Sequence, residues 1–226
     1  MARGYFITLE GGEGAGKPTQ ARRLAAALAA AGVPVLRTRE PGGAPGAERI
    51  RELLLSPGSW DSLTEAMLHF AARREHVVRS IRPMLEAGAW VICDRFADST
   101  LAYQGAGQGL AYETWARLCD LTLEGLQPDL TLILDLPVEA GLARAAGRSA
   151  ADRYERLGAD FHVRIRAGFS LRLKAAKALG NPPKRGAWQQ RLRRPACLFC
   201  VRESQAARRG QSVFANCSFL LVPGIV

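Results

Sequence analysis

The sequence predicts an α/β domain built as a doubly wound parallel sheet with helices on both faces, and three observations carry that prediction. Short apolar runs recur at 5–10, 33–38, 89–93 and 130–136, and they are continuous rather than alternating, as expected of strands covered on both sides. Helical patterns separate each run from the next, which is the signature of parallel crossovers. The first run leads into the glycine-rich stretch Gly11-Gly12-Glu13-Gly14-Ala15-Gly16-Lys17, followed by an Ala/Leu-rich helical segment from Thr19 to Ala31. Strand, glycine turn and helix give the G-x-x-x-x-G-K pattern its meaning as a nucleoside-triphosphate site, and specify the P-loop NTPase type of sheet.

In that loop the glycines let backbone N–H groups converge on phosphate oxygens, the helix N-terminus adds partial positive charge, and Lys17 reaches the β- and γ-phosphates. The expected triphosphate contacts are Gly11, Gly12, Glu13, Gly14, Ala15, Gly16, Lys17, Pro18 and Thr19. Position 18 breaks the pattern. A Ser or Thr hydroxyl belongs there to bind Mg²⁺, whereas proline has no hydroxyl, no backbone N–H, and biases Lys17 away from the helical region. Proline is tolerated in a first helical turn, so the expectation is a sound fold with impaired chemistry. Thr19 stands one residue, roughly 100° of helix rotation, from the required place.

Along the rest of the chain, Ser62-Leu63-Thr64-Glu65 reads as a capping box opening a helix through Met67, Phe70, Val77 and Ile81. Phe70 and Arg74 lie four residues apart, hence on one helix face. A second helix begins near Asp98-Ser99, with Ser99/Tyr103 and Thr100/Gln104 similarly paired. Strand ends at 94–95 and 135 place ligands at the carboxyl edge of the sheet.

Composition bounds the function classes. The 226 residues carry a formal charge of +10, but residues 171–226 hold eight Arg and three Lys against Glu203 alone, leaving 1–170 neutral. The chain shows no run near the roughly 20 apolar residues of a membrane helix and no charged, apolar leader, so a cytoplasmic protein without a membrane partner is expected. Cys93 and Cys119 read as small buried hydrophobes. Cys197, Cys200 and Cys217 lack the fourth ligand of a structural zinc site.

Four ordered motifs together resemble the bacterial thymidylate kinase family: Phe6 through Lys17; Thr38-Arg39-Glu40-Pro41-Gly42-Gly43; Phe70-Ala71-Ala72-Arg73-Arg74; and Asp94 through Gly105, with Asp152-Arg153-Tyr154-Glu155 ahead of Asp160-Phe161-His162. The resemblance runs to about Phe169. It implies transfer of the γ-phosphoryl of ATP to dTMP, giving dTDP and ADP in dTTP biosynthesis, with Mg²⁺ and as a homodimer. It further implies that Phe70 stacks on thymine, that Arg74 and Gln104 bond its edge, and that Tyr103 lines the deoxyribose with Ser99 beside it. Glu13 would sit near the 3′-hydroxyl, Arg95 and Arg39 would hold the acceptor phosphate, and Asp94 would stand near the metal, which Thr19 could reach only through a water or a shifted loop. Gly14 occupies a place where some relatives carry arginine. Lys17, Arg95, Arg148 and Arg153 are then the cations for the transferred group, the last two from a lid at about 144–157. Arginine suits this work because its planar fork binds phosphate through two bonds.

Beyond about 170 the resemblance stops, and the basic segment 171–226 is expected to be a divergent, poorly ordered tail. Asn181-Pro182-Pro183 breaks the helix begun at Leu171, and no strand or helix period returns until Ser218-Phe219-Leu220-Leu221-Val222. A reading-frame slip in a GC-rich gene and an authentic basic extension are the two accounts of it. Two alternatives to an active kinase follow: a nucleotide-binding relative impaired at Pro18 and by lost C-terminal elements, or a nucleic-acid binder acting through the tail. Nucleic acid is the less favoured partner.

Overall fold

The computed structural model describes residues 3–147, 153–154, 156–178 and 197–202. A five-stranded parallel sheet in the order β2-β3-β1-β4-β5 forms the centre. Its strands are β1 (Phe6–Glu10), β2 (Val35–Arg39), β3 (Trp90–Asp94), β4 (Leu130–Asp135) and β5 (Cys197–Arg202). β1 is buried at all five positions because β3 and β4 flank it and helices cover both of its faces. The register Leu9↔Asp94 and Glu10↔Ile133 brings the strand ends to one edge.

Side chains alternate across this sheet, so each face builds its own core. Phe6 and Val91 meet Phe70, Val77, Ile81, Leu85 and Phe96 on one side. Ile7, Leu9, Ile92, Leu132 and Leu134 meet Ala21 of α1 (Lys17–Ala30) on the other. Phe6, Leu9 and Phe70 are each at most 1% exposed, and burial of each contributes about 1.5–3 kcal/mol. Apolar residues on both faces are the physical cause of the unbroken runs seen in the sequence.

α2 (Pro45–Leu55) packs against α3 (Ser62–His76), which continues as a π-helical turn over Val77–Ile81 and then α4 (Arg82–Glu86). α5 (Ala97–Thr100) passes into a second π-helical stretch, Leu101–Gly107, where an α-helix was expected from Asp98 onward. α6 (Tyr112–Leu123), α7 (Val138–Ala146) and α8 (Ala159–Ala178) complete the layers.

Two local expectations are corrected. The N-cap of α3 is Asp61, not Ser62: its carboxylate accepts from the Thr64 backbone N–H at 2.9 Å and from its hydroxyl at 3.1 Å. Glu65, the expected closing member of the box, is fully buried and faces inward. The segment between Asn181 and Cys217 was expected to be irregular, yet Cys197–Arg202 forms a strand paired in parallel with β4, from Leu130↔Cys197 to Asp135↔Arg202. Its Cys-Leu-Phe-Cys-Val run suits an added strand, although basic residues surround it in sequence. Residues 179–196 and 203–226, where the rest of the expected tail falls, lie outside the described residues.

Candidate active site

The carboxyl edge of the sheet opens into a cleft of about 330 Å³. The 13–18 segment forms one wall, and residues of β2, β3, α3 and the stretch after Arg95 form the others. The loop turns into α1 through Gly16 (φ 87°), and Lys17 is already helical despite Pro18 at the second position. Proline's fixed φ suits a first turn, so the expected bias on Lys17 does not stop the helix from starting there. Gly14 (φ 66°) lies so close to α7 that a Cβ would stand 1.9 Å from the Gly141 carbonyl oxygen, and a Cβ on Gly141 would stand 2.4 Å from that of Glu13.

Lys17 is 4% exposed, and its Nζ donates to Gly11 O at 3.0 Å and Gly12 O at 2.7 Å. Burial, with Arg95 beside it, lowers its pKa to about 8. Pro18 lines the cleft, whereas Thr19 is exposed and off it. One further step round the helix carries the Thr19 side chain outward, away from the place of the missing hydroxyl.

Arg95 is the electrostatic centre. Its Nη2 donates to Glu13 Oε1 at 2.7 Å and to Tyr103 OH at 2.9 Å, and its Nη1 to Gly11 O at 3.2 Å and Ser99 Oγ at 3.3 Å. Tyr103 OH also donates to Glu13 Oε1 at 2.6 Å. Burial opposes the charge on Glu13, but Arg95 and Lys17 outweigh it and hold its pKa down to about 2. Arg95 adopts φ 72°, a left-handed conformation that is costly for a side-chain-bearing residue. Glu10 secures the turn by accepting from Phe96 N at 2.9 Å and Ser99 Oγ at 2.5 Å. Burial, then Asp98, pushes the Glu10 pKa up to about 8. Asp94 ends β3 in the cleft, and its buried Oδ1 has no hydrogen-bond partner among the described residues. Arg39 lines the cleft while paired with Glu48 at 3.0 Å on the exposed side.

The expected base-edge pair, Phe70 and Arg74, does not reach the cleft. Phe70 is 1% exposed in the core with Phe6 and Phe96, and Arg74 points to the far end of α6, where it meets Thr122 O at 3.1 Å and Glu124 at 2.9 Å. The neighbouring pair His69 and Arg73 lines the cleft instead. These two are also four residues apart, and the side of α3 facing the sheet end is theirs. Arg73, 2% exposed, donates from Nε to Glu40 Oε2 at 2.7 Å and from Nη2 to Phe96 O at 3.0 Å and Thr100 Oγ1 at 3.1 Å. Its guanidinium lies 4.5 Å from the centre of the Phe70 ring. Its buried Nη1 has no hydrogen-bond partner among the described residues. His76 completes the support, with Nδ1 3.1 Å from Glu40 Oε1 and Nε2 2.8 Å from Thr38 Oγ1.

Gln104 and Tyr103 line the cleft, joined by Tyr154. Arg153 does not line it: its Nη2 donates to Glu65 Oε2 at 2.5 Å and its Nη1 to Leu54 O at 3.3 Å. Arg148 lies outside the described residues. The sequence reading passed over Glu10, Glu40, Glu65, His69 and Arg73 as site residues. Glu10, Glu40 and Arg73 lie inside the motifs that carry the family resemblance, so their signal is local, while the contacts of Glu65 span up to 89 residues and leave no local trace.

The chain is similar to known proteins over most of its length. The family model described as "Thymidylate kinase" matches residues 9–178. A thymidylate kinase of Caulobacter vibrioides is 58% identical over 160 residues, which cover 70% of this chain and 77% of that one. One from Pseudomonas fluorescens Pf-5 is 57% identical over 157 residues, 69% of this chain and 75% of its own. The crystal structure of thymidylate kinase from Ehrlichia chaffeensis aligns with a TM-score of 0.68 at 35% identity, covering 89% of this chain and 88% of that one.

Proposed function

The chain belongs to the thymidylate kinase family, and from that premise we propose how its cleft divides the work of the reaction. The reaction is transfer of the γ-phosphoryl of ATP to dTMP, giving dTDP and ADP. Phosphoryl transfer is governed by alignment and by neutralisation of charge on the transferred oxygens. The observation that carries the assignment is the convergence of Lys17, Arg95, Arg73, Tyr103 and Gln104 on one cleft with the glycine loop.

In this reading residues 11–17 cradle the donor phosphates and Lys17 follows the β- and γ-oxygens. Its lowered pKa reflects a dry, crowded site in which each cation counts for more than in water. Arg95, oriented by Glu13 and Tyr103, and Arg39 hold the acceptor phosphate, with Glu13 near the sugar 3′-hydroxyl and Ser99 fixing the turn that presents Arg95. Tyr103 closes the sugar side. Arg73 takes the base-edge role first expected of Arg74, with Gln104 beside it and the His69 ring in place of Phe70 as the aromatic wall. Arg148 is the proposed lid cation, whereas Arg153, paired with Glu65, is assigned to the support of α3 rather than to the phosphates.

The residues present fit Mg²⁺: a buried carboxylate oxygen of Asp94 without a protein partner is a hard donor of the kind this ion takes through its water shell. Asp94 would hold the ion, which would supply neutralisation of phosphate charge, and position 18 contributes no hydroxyl to it. We further propose, on the resemblance alone, a cytoplasmic homodimer with a kinase body to about residue 170 and a basic segment over 171–226. Coupled ADP release with dTMP, dCMP, dGMP and dAMP as acceptors tests the assignment. Turnover at least tenfold faster with dTMP supports it, and equal rates with all four refute it.

A further inference from the structure

Glu65 is fully buried on α3 and does not itself line the cleft. Among the described residues, every side chain that reaches its carboxylate does so with a donor. Gln104 Nε2 donates to Oε1 at 2.8 Å, Arg153 Nη2 donates to Oε2 at 2.5 Å, the Tyr154 hydroxyl donates to Oε1, and Gln108 Nε2 lies 3.3 Å from Oε2. Two of these donors, Gln104 and Tyr154, line the cleft.

An amide carries a donor and an acceptor of nearly equal shape on one carbon, so packing alone does not tell its two ends apart. An ionised carboxylate does, because it only accepts. With Nε2 held on Glu65, the Gln104 carbonyl oxygen is committed to the other side of the amide, and no described residue donates to it. The same logic orders the phenol: Tyr154 gives its one proton to Glu65, so its oxygen accepts from His69 Nε2, 2.9 Å away. Burial, then Arg73 and Arg95, lowers the His69 pKa to about 3, so the ring is neutral and the donation to Tyr154 places its one proton on Nε2. On the adjoining wall Arg73 keeps one buried, unpartnered donor, Nη1. Both residues line the cleft, Gln104 with an acceptor fixed by Glu65 and Arg73 with a guanidinium fixed by Glu40, Phe96 and Thr100.

We propose that Glu65 is a positioning residue for the acceptor base: by fixing the Gln104 amide with its oxygen toward the cleft, it matches this wall to the N3–H and O4 of thymine and mismatches it to the N3 and N4 amine of cytosine. Glu65 touches no substrate and acts only through Gln104 and Tyr154. This inference rests on the reading of the cleft as the dTMP site, and the experiment separates the two.

The probes are dTMP and 5-methyl-dCMP, which share methyl group, sugar and phosphate and differ only in the polarity of N3 and C4. The full-length protein and its Glu65→Gln and Glu65→Asp variants are compared by calorimetry and by steady-state kinetics. The native protein should prefer dTMP by about 100-fold or more, since a wrong base leaves buried polar groups unpaired. Glu65→Gln both donates and accepts, so Gln104 is free to turn over, and the preference should shrink at least about tenfold, in KM more than in kcat. Glu65→Asp still only accepts and should retain more of the preference than Glu65→Gln. A folded Glu65→Gln protein with native preference overturns the inference while leaving the cleft assignment standing, as does equal weakening of both ligands in both variants. A native protein indifferent to the two probes overturns both. Should Glu65→Gln fail to fold, a crystal structure of the native protein with dTMP decides: Gln104 Nε2 still on Glu65 with its oxygen against N3 supports the inference, and Gln104 swung off Glu65 overturns it.

Discussion

Replacing Glu40 by Leu should destabilise this protein far more than a surface change would, and the structure supplies the magnitude. Glu40 and Arg73 form an ion pair at 2.7 Å with side-chain exposures of 3% and 2%. Leucine fills a similar volume but accepts nothing, so the Arg73 Nε is left unpaired and its charge uncompensated in a dry site. Removal of one partner from a buried pair typically costs about 3–5 kcal/mol. For a chain of this size each kcal/mol moves Tm by about 2–4 °C, which predicts a fall of roughly 6–20 °C. Arg73 keeps its bonds to Phe96 O and Thr100, which places the expectation toward the lower half of that range. Thermal unfolding by calorimetry is the assay, run on the single variant and on the double variant Glu40→Leu/Arg73→Met. Replacing both charges with apolar groups of similar volume is often close to neutral, so the double variant should recover part of the lost stability, the remainder being the cost of leaving His76 Nδ1 and Phe96 O without these partners. Its dTMP affinity should not recover, because the Arg73 donor is gone. A single variant that loses less than about 1 kcal/mol, or a double variant as unstable as the single, would refute the view that Glu40 is there to compensate Arg73.

Three further outcomes are expected. Pro18→Thr restores a hydroxyl and a backbone N–H at the second position of α1, and should raise kcat by about tenfold or more, since one preorganised donor in such sites is worth on the order of 10²–10³; an unchanged kcat with unchanged dTMP affinity would show that the loop works without them. Arg73→Ala should weaken dTMP binding by about 1–3 kcal/mol, whereas Arg74→Ala, at an exposed pair with Glu124, should leave it within threefold in calorimetry; the reverse ranking would return the base-edge role to Arg74. Glu10 has a folded-state pKa near 8 against an unfolded value of 4.5, so the native state holds its proton more tightly. The stability it contributes is complete below about pH 4.5 and is lost as pH rises toward 8, at up to about 1.4 kcal/mol per pH unit. Denaturant titrations at pH 5, 6.5 and 8 should show that slope in the native protein and a flatter one in Glu10→Gln; identical slopes would place the titration elsewhere.

The strands were legible because β1, β3 and β4 are buried on both faces and so read as unbroken apolar runs. The loop was legible because phosphate cradling demands glycines at fixed spacing ahead of Lys17. What failed to read was orientation. Arg73 and Arg74 are adjacent, and both lie within one helical turn of Phe70; only the packing of α3 against the sheet edge selects Arg73. Asp61 and Ser62 are both competent caps, and the choice between them follows from where Glu65 is needed. Glu65 itself is defined by Gln104, Arg153 and Tyr154, all 39 or more residues distant. β5 escaped notice because its apolar stretch is short and set among basic residues.

The meeting of Gly14 with Gly141 closes an evolutionary route. Where loop and α7 touch backbone to backbone, neither position can acquire a side chain by a single substitution, since the first newcomer at either meets a carbonyl oxygen that cannot yield unless the helix retreats. An arginine arriving at position 14 would have to wait for α7 to move, and α7 has no reason to move before it arrives. A lineage in this state keeps its phosphate-neutralising cations off position 14 and refines those it has, which makes Arg95 and its supporting Glu10, Glu13 and Tyr103 the positions where drift should be least forgiving.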